Sequence, residues 1–237
     1  MTIPFAVCLF PPITLLNAIS MLFVDNVALE DTKDILSMSP MLAFFLLAVV
    51  PAFFEEFAFR GLIYGGYRRH CRPLGAIVIT GLLFGLMHGN LNQFCYTFVF
   101  GMILAMLVEA SGSIWPAILT HMIINSKLVI TLFIEKYLNP DAIDELLSSQ
   151  DTATAGDLYM CILVYALLSI ITLMMAGAML SWIAQNEGMV NPIKVLRNNK
   201  KFCACRTSVW SLSLVVGVAL SATLLAATEL LTYLTGY

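Results

Sequence analysis

Glu55, Glu56, Arg60, His88, His121 and Asn125 all lie within strongly apolar stretches of the chain. An ionised group at bilayer depth costs at least about 2.5–3.5 kcal/mol, and such residues usually mark a function. Glu56 and Arg60 are four residues apart, so on a helix they share a face and can form an ion pair. Glu55 is turned by about 100° from Glu56 and keeps its carboxylate away from that partner. His88 closes the run Phe84-Gly-Leu-Met-His88, with an aromatic ring one turn before it. His121 opens His121-Met-Ile-Ile-Asn125, which puts Asn125 one turn on and on the same face.

This set has the parts for hydrolysing a peptide bond with an activated water. A carboxylate held away from bulk solvent is a better general base, and Glu55 fits that role. His88 can orient the water or share its proton. His121 and the Asn125 amide can donate to the tetrahedral oxyanion, a contribution worth about 3–4 kcal/mol in comparable sites. Arg60 would hold Glu56 charged and fix its helix. A zinc version is the alternative, with His88, His121 and Glu55 or Glu56 as ligands around an open position. The short His-Glu-x-x-His motif is absent, so Zn2+ is not compelled, and no Gly-x-Ser-x-Gly elbow supports a serine nucleophile. Each element also has a structural reading: a Glu–Arg pair can lock helices, a buried histidine can be a satisfied core residue, and an asparagine can join helices by hydrogen bonding.

The elements carrying these residues must lie in lipid. The chain has 237 residues, of which 60% are hydrophobic and 11% charged, with a mean hydropathy of +0.89. Soluble domains carry about 25% charged residues. The net charge of −3 and the lack of a basic stripe argue against nucleic-acid binding. The expected fold is all-α, a polytopic transmembrane helical bundle of about seven spans. Apolar segments fall at 3–24, 41–66, 74–88, 92–110, 114–138, 158–184 and 209–234. The first has no basic residues before it and is long enough to span, so it reads as a retained helix. Pro11-Pro12 is expected to kink or interrupt it, and Gly65-Gly66 to end the second. The six cysteines are scattered, and free thiols are expected, Cys203 and Cys205 included.

Loop charges alternate. Arg68, Arg69, Arg72, Lys194, Arg197, Lys200, Lys201 and Arg206 flank one side, against Lys33 and Lys136 on the other. The positive-inside rule then puts the N-terminus and the basic loops in the cytosol. Glu109, Lys127 and Glu229 read as helix-end or snorkelling residues. Counting rise from the expected helix ends, Glu55 lies about 15 Å deep and His88 about 24 Å, but His121 only about 12 Å. His121 therefore falls about one and a half turns short unless the uncharged Ser111-Gly112-Ser113 link is sunk among the helices.

Glu55-Glu56-Phe-Ala-Phe-Arg60, Phe84-x-x-x-His88 and His121-x-x-x-Asn125, in this order, resemble the CPBP family of CAAX proteases and bacteriocin-processing enzymes, also called ABI proteins. Gly112-Ser-Ile-Trp-Pro-Ala117 is also similar to that family. The resemblance covers roughly residues 50–130. It implies a helical intramembrane endopeptidase of the type II CAAX prenyl endopeptidase class. By the family pattern Glu55 would be the base acting with His88, His121 and Asn125 the oxyanion site, and Glu56 and Arg60 supporting residues. Members are commonly labelled metalloproteases. The organisation expected is a first span and acidic loop over 1–40, a catalytic core over 41–138 and two further spans over 139–237. Expected partners are membrane lipid and a membrane-embedded or lipid-anchored peptide or protein substrate, in a prokaryotic cell membrane. The competing readings are a non-catalytic bacteriocin-immunity or membrane scaffold protein that keeps the motif structurally, and a transporter with a proton relay, although no related halves with broken helices are visible.

Overall fold

The structure, a computed structural model, describes residues 1–24, 35–70, 72–140, 155–197 and 212–235. The acidic residues of 25–34 and 141–151 lie outside these, as do Lys200, Lys201, Arg206, Cys71, Cys203 and Cys205 and the side chains of Arg197 and Glu229. The described residues form helices: α1 (Thr2–Ser20), α2 (Pro40–His70), α3 (Pro73–Met87), α4 (Leu91–Ser111), α5 (Trp115–Leu138), α6 (Ala155–Asn186), the short α7 (Pro192–Arg197) and α8 (Leu212–Thr235). Five of them are long and apolar enough to cross a membrane, and two shorter apolar helices lie at Pro73–Met87 and Leu214–Ala227. This is an all-α membrane protein whose seven apolar helices follow the seven apolar segments. Cys8, Cys95 and Cys161 are free thiols.

Two helix ends depart from expectation. α1 runs unbroken through Pro11 and Pro12. Prolines are tolerated in membrane helices because there is no water to compete for the backbone and local adjustments satisfy the freed groups. α2 does not stop at Gly65-Gly66 but continues as α-helix to His70. Gly65 has φ −57° and ψ −39°, ordinary helical values, and a helix interior loses only about 1 kcal/mol to a glycine.

α2 is the element that matters most for the site. Ser39 caps it, its hydroxyl accepting from the Leu42 amide at 3.4 Å, with Pro40 in the first turn. Two π-helical stretches interrupt the α winding, at Phe45–Val49 and Phe57–Tyr64. Pro51 follows the first and lacks an amide donor, and π winding is one way a membrane helix accommodates that. Glu55 and Glu56 end the short α segment between the two stretches. Such π insertions occur often at functional sites because they re-aim side chains.

The chain forms two compact units, Met1–Glu55 with Ile118–Ala176, and Glu56–Ala117 with Gly177–Tyr237. In the first, Ile35, Leu36, Ala43, Val129 and Leu132 form a buried cluster flanked by Phe44, Leu47 and Phe133. In the second, Tyr64, Ala76, Ile77 and Ala105 do the same with Met102 and Met106. The tightest packing is between α3 and α4. A carbon added at Gly81 would lie 2.6 Å from Met102 Cγ and 2.9 Å from the Phe98 carbonyl, and one added at Gly101 would lie 3.0 Å from Gly81 Cα. Small residues at such crossings let membrane helices approach closely. Gly81→Val is expected to lower stability by about 1–3 kcal/mol through overpacking. Gly66→Ala, where nothing lies within 4 Å of the added carbon, is expected to match the native protein. Unfolding of both variants in detergent micelles reads the difference.

Candidate active site

In the first unit α2 and α5 bring Glu55 and His121 together. Glu55 Oε2 lies 3.9 Å from His121 Nε2, with the side chains 24% and 3% exposed respectively. That gap is too long for a direct hydrogen bond. Glu55 Oε2 is itself buried and has no hydrogen-bond partner among the described residues. A buried carboxylate oxygen left without a donor is costly, and such groups are kept where a ligand or water supplies the partner. Asn125, half-buried, follows one turn after His121 on α5. The depth mismatch expected from counting does not keep Glu55 and His121 apart. The count placed every helix end at the membrane surface, and nothing in the Ser111-Gly112-Ser113 link holds it there.

The second unit holds Glu56, Arg60 and His88. Glu56 and Arg60 pair at 2.8 Å with both side chains fully buried. A second guanidinium nitrogen, Nη2, donates to the Gly101 carbonyl of α4 at 2.9 Å. The Arg60 guanidinium carbon also lies 4.5 Å from the centroid of the Phe84 ring on α3. The ring's negative face attracts the cation, and Arg is the residue best suited to stack there. Arg60 therefore ties together the three helices of this unit that follow the glutamates.

The same Phe84 sets His88. His88 is the C-cap of α3, with φ −72° and ψ −14°. Its Nδ1 lies 2.8 Å from the Phe84 carbonyl oxygen, and its ring meets the Phe84 ring edge-on at 5.1 Å. A carbonyl can only accept, so Nδ1 carries the proton and Nε2 is the basic nitrogen of the neutral ring. Phe59 also packs edge-on against Phe84, at 5.1 Å. The residue chosen from sequence as a neighbour one turn away is thus the group that fixes the histidine's tautomer. His88→Asn keeps an amide donor for the Phe84 carbonyl but has no Nε2. It is expected to fold normally and to lose at least about a hundredfold in turnover, as removal of a general acid–base group does.

Of the charges expected at helix ends, Glu109 lies in the last turn of α4 and Lys127 does not lie at an end. Glu109 accepts from Tyr64 at 2.6 Å and from Arg68 at 2.7 Å, a cluster joining α2 to α4. Lys127 stands in the middle of α5 rather than at a helix end. A carboxylate two residues from the end of an apolar run reads as solvated in sequence, because only the fold reveals the arginine opposite. The Gly101 carbonyl as a partner for Arg60 was equally hidden, since backbone acceptors leave no trace in residue type.

Among the described residues no three His, Cys, Asp or Glu side chains group at metal-ligand spacing. No step is derived through a metal. Residues 37–126 match the family model described as type II CAAX prenyl endopeptidase Rce1-like. No curated protein and no solved structure matches the chain. The matched range contains Glu55, Glu56, Arg60, His88, His121 and Asn125, so the family's region and the polar groups of the apolar helices coincide. Over residues 37–126, and in its helical architecture, the chain is similar to the Rce1-like type II CAAX prenyl endopeptidase family.

Proposed function

We propose that this protein is an intramembrane endopeptidase that cleaves membrane-embedded or lipid-anchored peptides and proteins with a water activated by Glu55. The observation that carries the reading is the buried, unpartnered Glu55 Oε2 facing His121 Nε2 at 3.9 Å. Where polar atoms face each other beyond hydrogen-bond reach, a water between them is the natural partner for both. Glu55 takes a proton from that water as its oxygen bonds to the scissile carbonyl carbon. The oxyanion that forms receives hydrogen bonds from His121 and the Asn125 amide. The proton held by Glu55 passes to the leaving amide nitrogen, the C–N bond breaks, and a carboxyl terminus and an amine are released. His88, with Nε2 as its basic nitrogen, is the second proton-handling group. Glu56 and Arg60 support the fold and take no part in proton transfer. In this reading the protein lies in a prokaryotic cell membrane, with the N-terminus and basic loops on the cytosolic side that the positive-inside rule favours.

The test is the full-length protein in lipid nanodiscs, incubated with a peptide library from a membrane proteome, with and without a chelator. The native protein is expected to cut a defined subset and Glu55→Ala none, with chelator making no difference. Equal processing by both proteins would overturn the reading. A scaffold or immunity role has one observation in its favour, that the Glu56–Arg60 brace is complete without Glu55. In that role Glu55→Ala would retain protection or partner binding undiminished.

A further inference from the structure

Three cations of the second unit have no acid paired with them. Arg69 lies in the last turn of α2, Arg72 directly precedes α3, and Lys194 is on α7. All three are exposed, and among the described residues none forms an ion pair. Two described carboxylates belong to this end of the unit, Glu109 in the last turn of α4 and Glu187 just after α6. Glu109 is taken up by Arg68, at 2.7 Å, and by Tyr64. Glu187 forms no ion pair among the described residues, so positive charge is left in surplus where α2 ends and α3 begins. α7 packs on α3 and α4, and its Leu196 lies against Tyr64, Ala76, Ile77 and Ala105. That apolar contact fixes α7 at the first turns of α3, to which Ala76 belongs. Lys194, two residues before Leu196, is turned about 200° away from it and stays exposed.

The surface adjoining these cations is apolar. Leu62, about two turns before Arg69 on α2, is 65% exposed, and Leu74, two residues after Arg72, is 40% exposed. Between Leu62 and Arg69, Gly66 has nothing within 4 Å of where a side chain would begin. Along α2 the exposed surface thus runs from a leucine, across a glycine gap, to a guanidinium. That order suits a phospholipid, whose acyl chains lie deeper in the membrane than its phosphate. A soluble anion would use the cations alone and leave the leucines and the gap unused. Arginine is the side chain best shaped for phosphate, because its planar fork donates two parallel hydrogen bonds. We propose that Arg69, Arg72 and Lys194 hold the phosphate of an anionic glycerophospholipid, with its acyl chains on the Leu62 and Leu74 surface. The site lies on the side that the positive-inside rule assigns to the cytosol. It does not depend on the proteolytic reading.

The experiment titrates immobilised full-length protein in dodecyl maltoside micelles with dioleoylphosphatidylglycerol or dioleoylphosphatidylcholine and measures the lipid retained after washing. A basic side chain at a membrane surface strengthens binding of an acidic headgroup by about fivefold. The native protein is therefore expected to hold phosphatidylglycerol at least about tenfold more tightly than phosphatidylcholine, and the preference should shrink as salt screens the charges. Arg69→Gln, Arg72→Gln and Lys194→Gln should each weaken phosphatidylglycerol binding by about fivefold and leave phosphatidylcholine unchanged, and the triple variant should show no preference. Arg69→Lys should keep most of it. Lys136→Gln, which removes an ammonium bound to the Leu36 carbonyl in the first unit, should keep all of it. Gly66→Leu, which fills the gap with every cation in place, should weaken phosphatidylglycerol binding. Equal retention of the two lipids by the native protein overturns the proposal, and so does a preference that survives in the triple variant. If the triple variant unfolds, the three single variants decide: unchanged phosphatidylglycerol binding in all of them has the same meaning. Displacement of the lipid by an equal concentration of glycerol 3-phosphate overturns the lipid as occupant and assigns the cations to a soluble phosphate.

Discussion

Glu55→Gln is expected to fold as the native protein does and to turn over substrate about a thousandfold or more slowly. The amide has the shape of the carboxylate but cannot take a proton from water, and general base catalysis is worth about 10²–10⁴-fold. Little stability is at risk, because Oε2 makes no hydrogen bond among the described residues that the substitution could break. The side chain is also 24% exposed, so exchanging a carboxylate for an amide there changes solvation only in part. The loss should appear in kcat, with KM held within a few fold, since the group acts in the transition state rather than in binding. Single-turnover measurements on purified native and variant proteins, together with melting curves, separate the two effects. A variant within tenfold of the native kcat would remove Glu55 from the role of base. A variant that fails to fold would mean the carboxylate is structural.

Arg60→Met should have the opposite profile, a large loss of stability before any effect on chemistry. Glu56 is 0% exposed and Arg60 2%, so the substitution leaves a fully buried carboxylate without its guanidinium. Breaking one side of a buried pair in this way costs about 3–5 kcal/mol. The Gly101 carbonyl loses its donor at the same time, and the Phe84 ring loses the cation stacked on it. Replacing both partners, as in Glu56→Leu with Arg60→Met, is expected to recover more than half of the loss, because well-packed apolar groups can substitute for a buried ion pair at little cost. Denaturant titrations of the single and double variants in micelles measure this coupling. If Arg60→Met alone is as stable as the native protein, the pair is not the brace of this unit.

The two predictions divide neighbouring carboxylates into unlike roles, and much of that division was legible in the sequence. Helical phase alone separates Glu56, four residues before Arg60, from Glu55, and the structure has the pair at 2.8 Å. The seven apolar segments were legible for a simple reason. A backbone in lipid has to satisfy its own hydrogen bonds, so an apolar run of sufficient length has few options besides a helix. Helix ends were less so. Gly65-Gly66 and Pro11-Pro12 carry the signals that stop helices in water, but in lipid the backbone groups they free are satisfied again locally and the helix continues.

What the sequence determined by itself was the all-α membrane class, the residues that are expensive to bury, and the local pairs three or four residues apart. It could do so because these depend on composition and on the 3.6-residue repeat, which are properties of the chain and not of its folding partners. The tertiary structure decided the rest. It placed His121 Nε2 within 3.9 Å of Glu55, supplied the Gly101 carbonyl to Arg60, and paired Glu109 with Arg68 and Tyr64. Each of these joins residues more than 40 positions apart, and none follows from spacing. Counting depth along isolated helices misjudged His121 because it took every helix end to lie at the surface. Where a helix begins in the membrane is set by what packs around it, and that is decided only when the chain is folded.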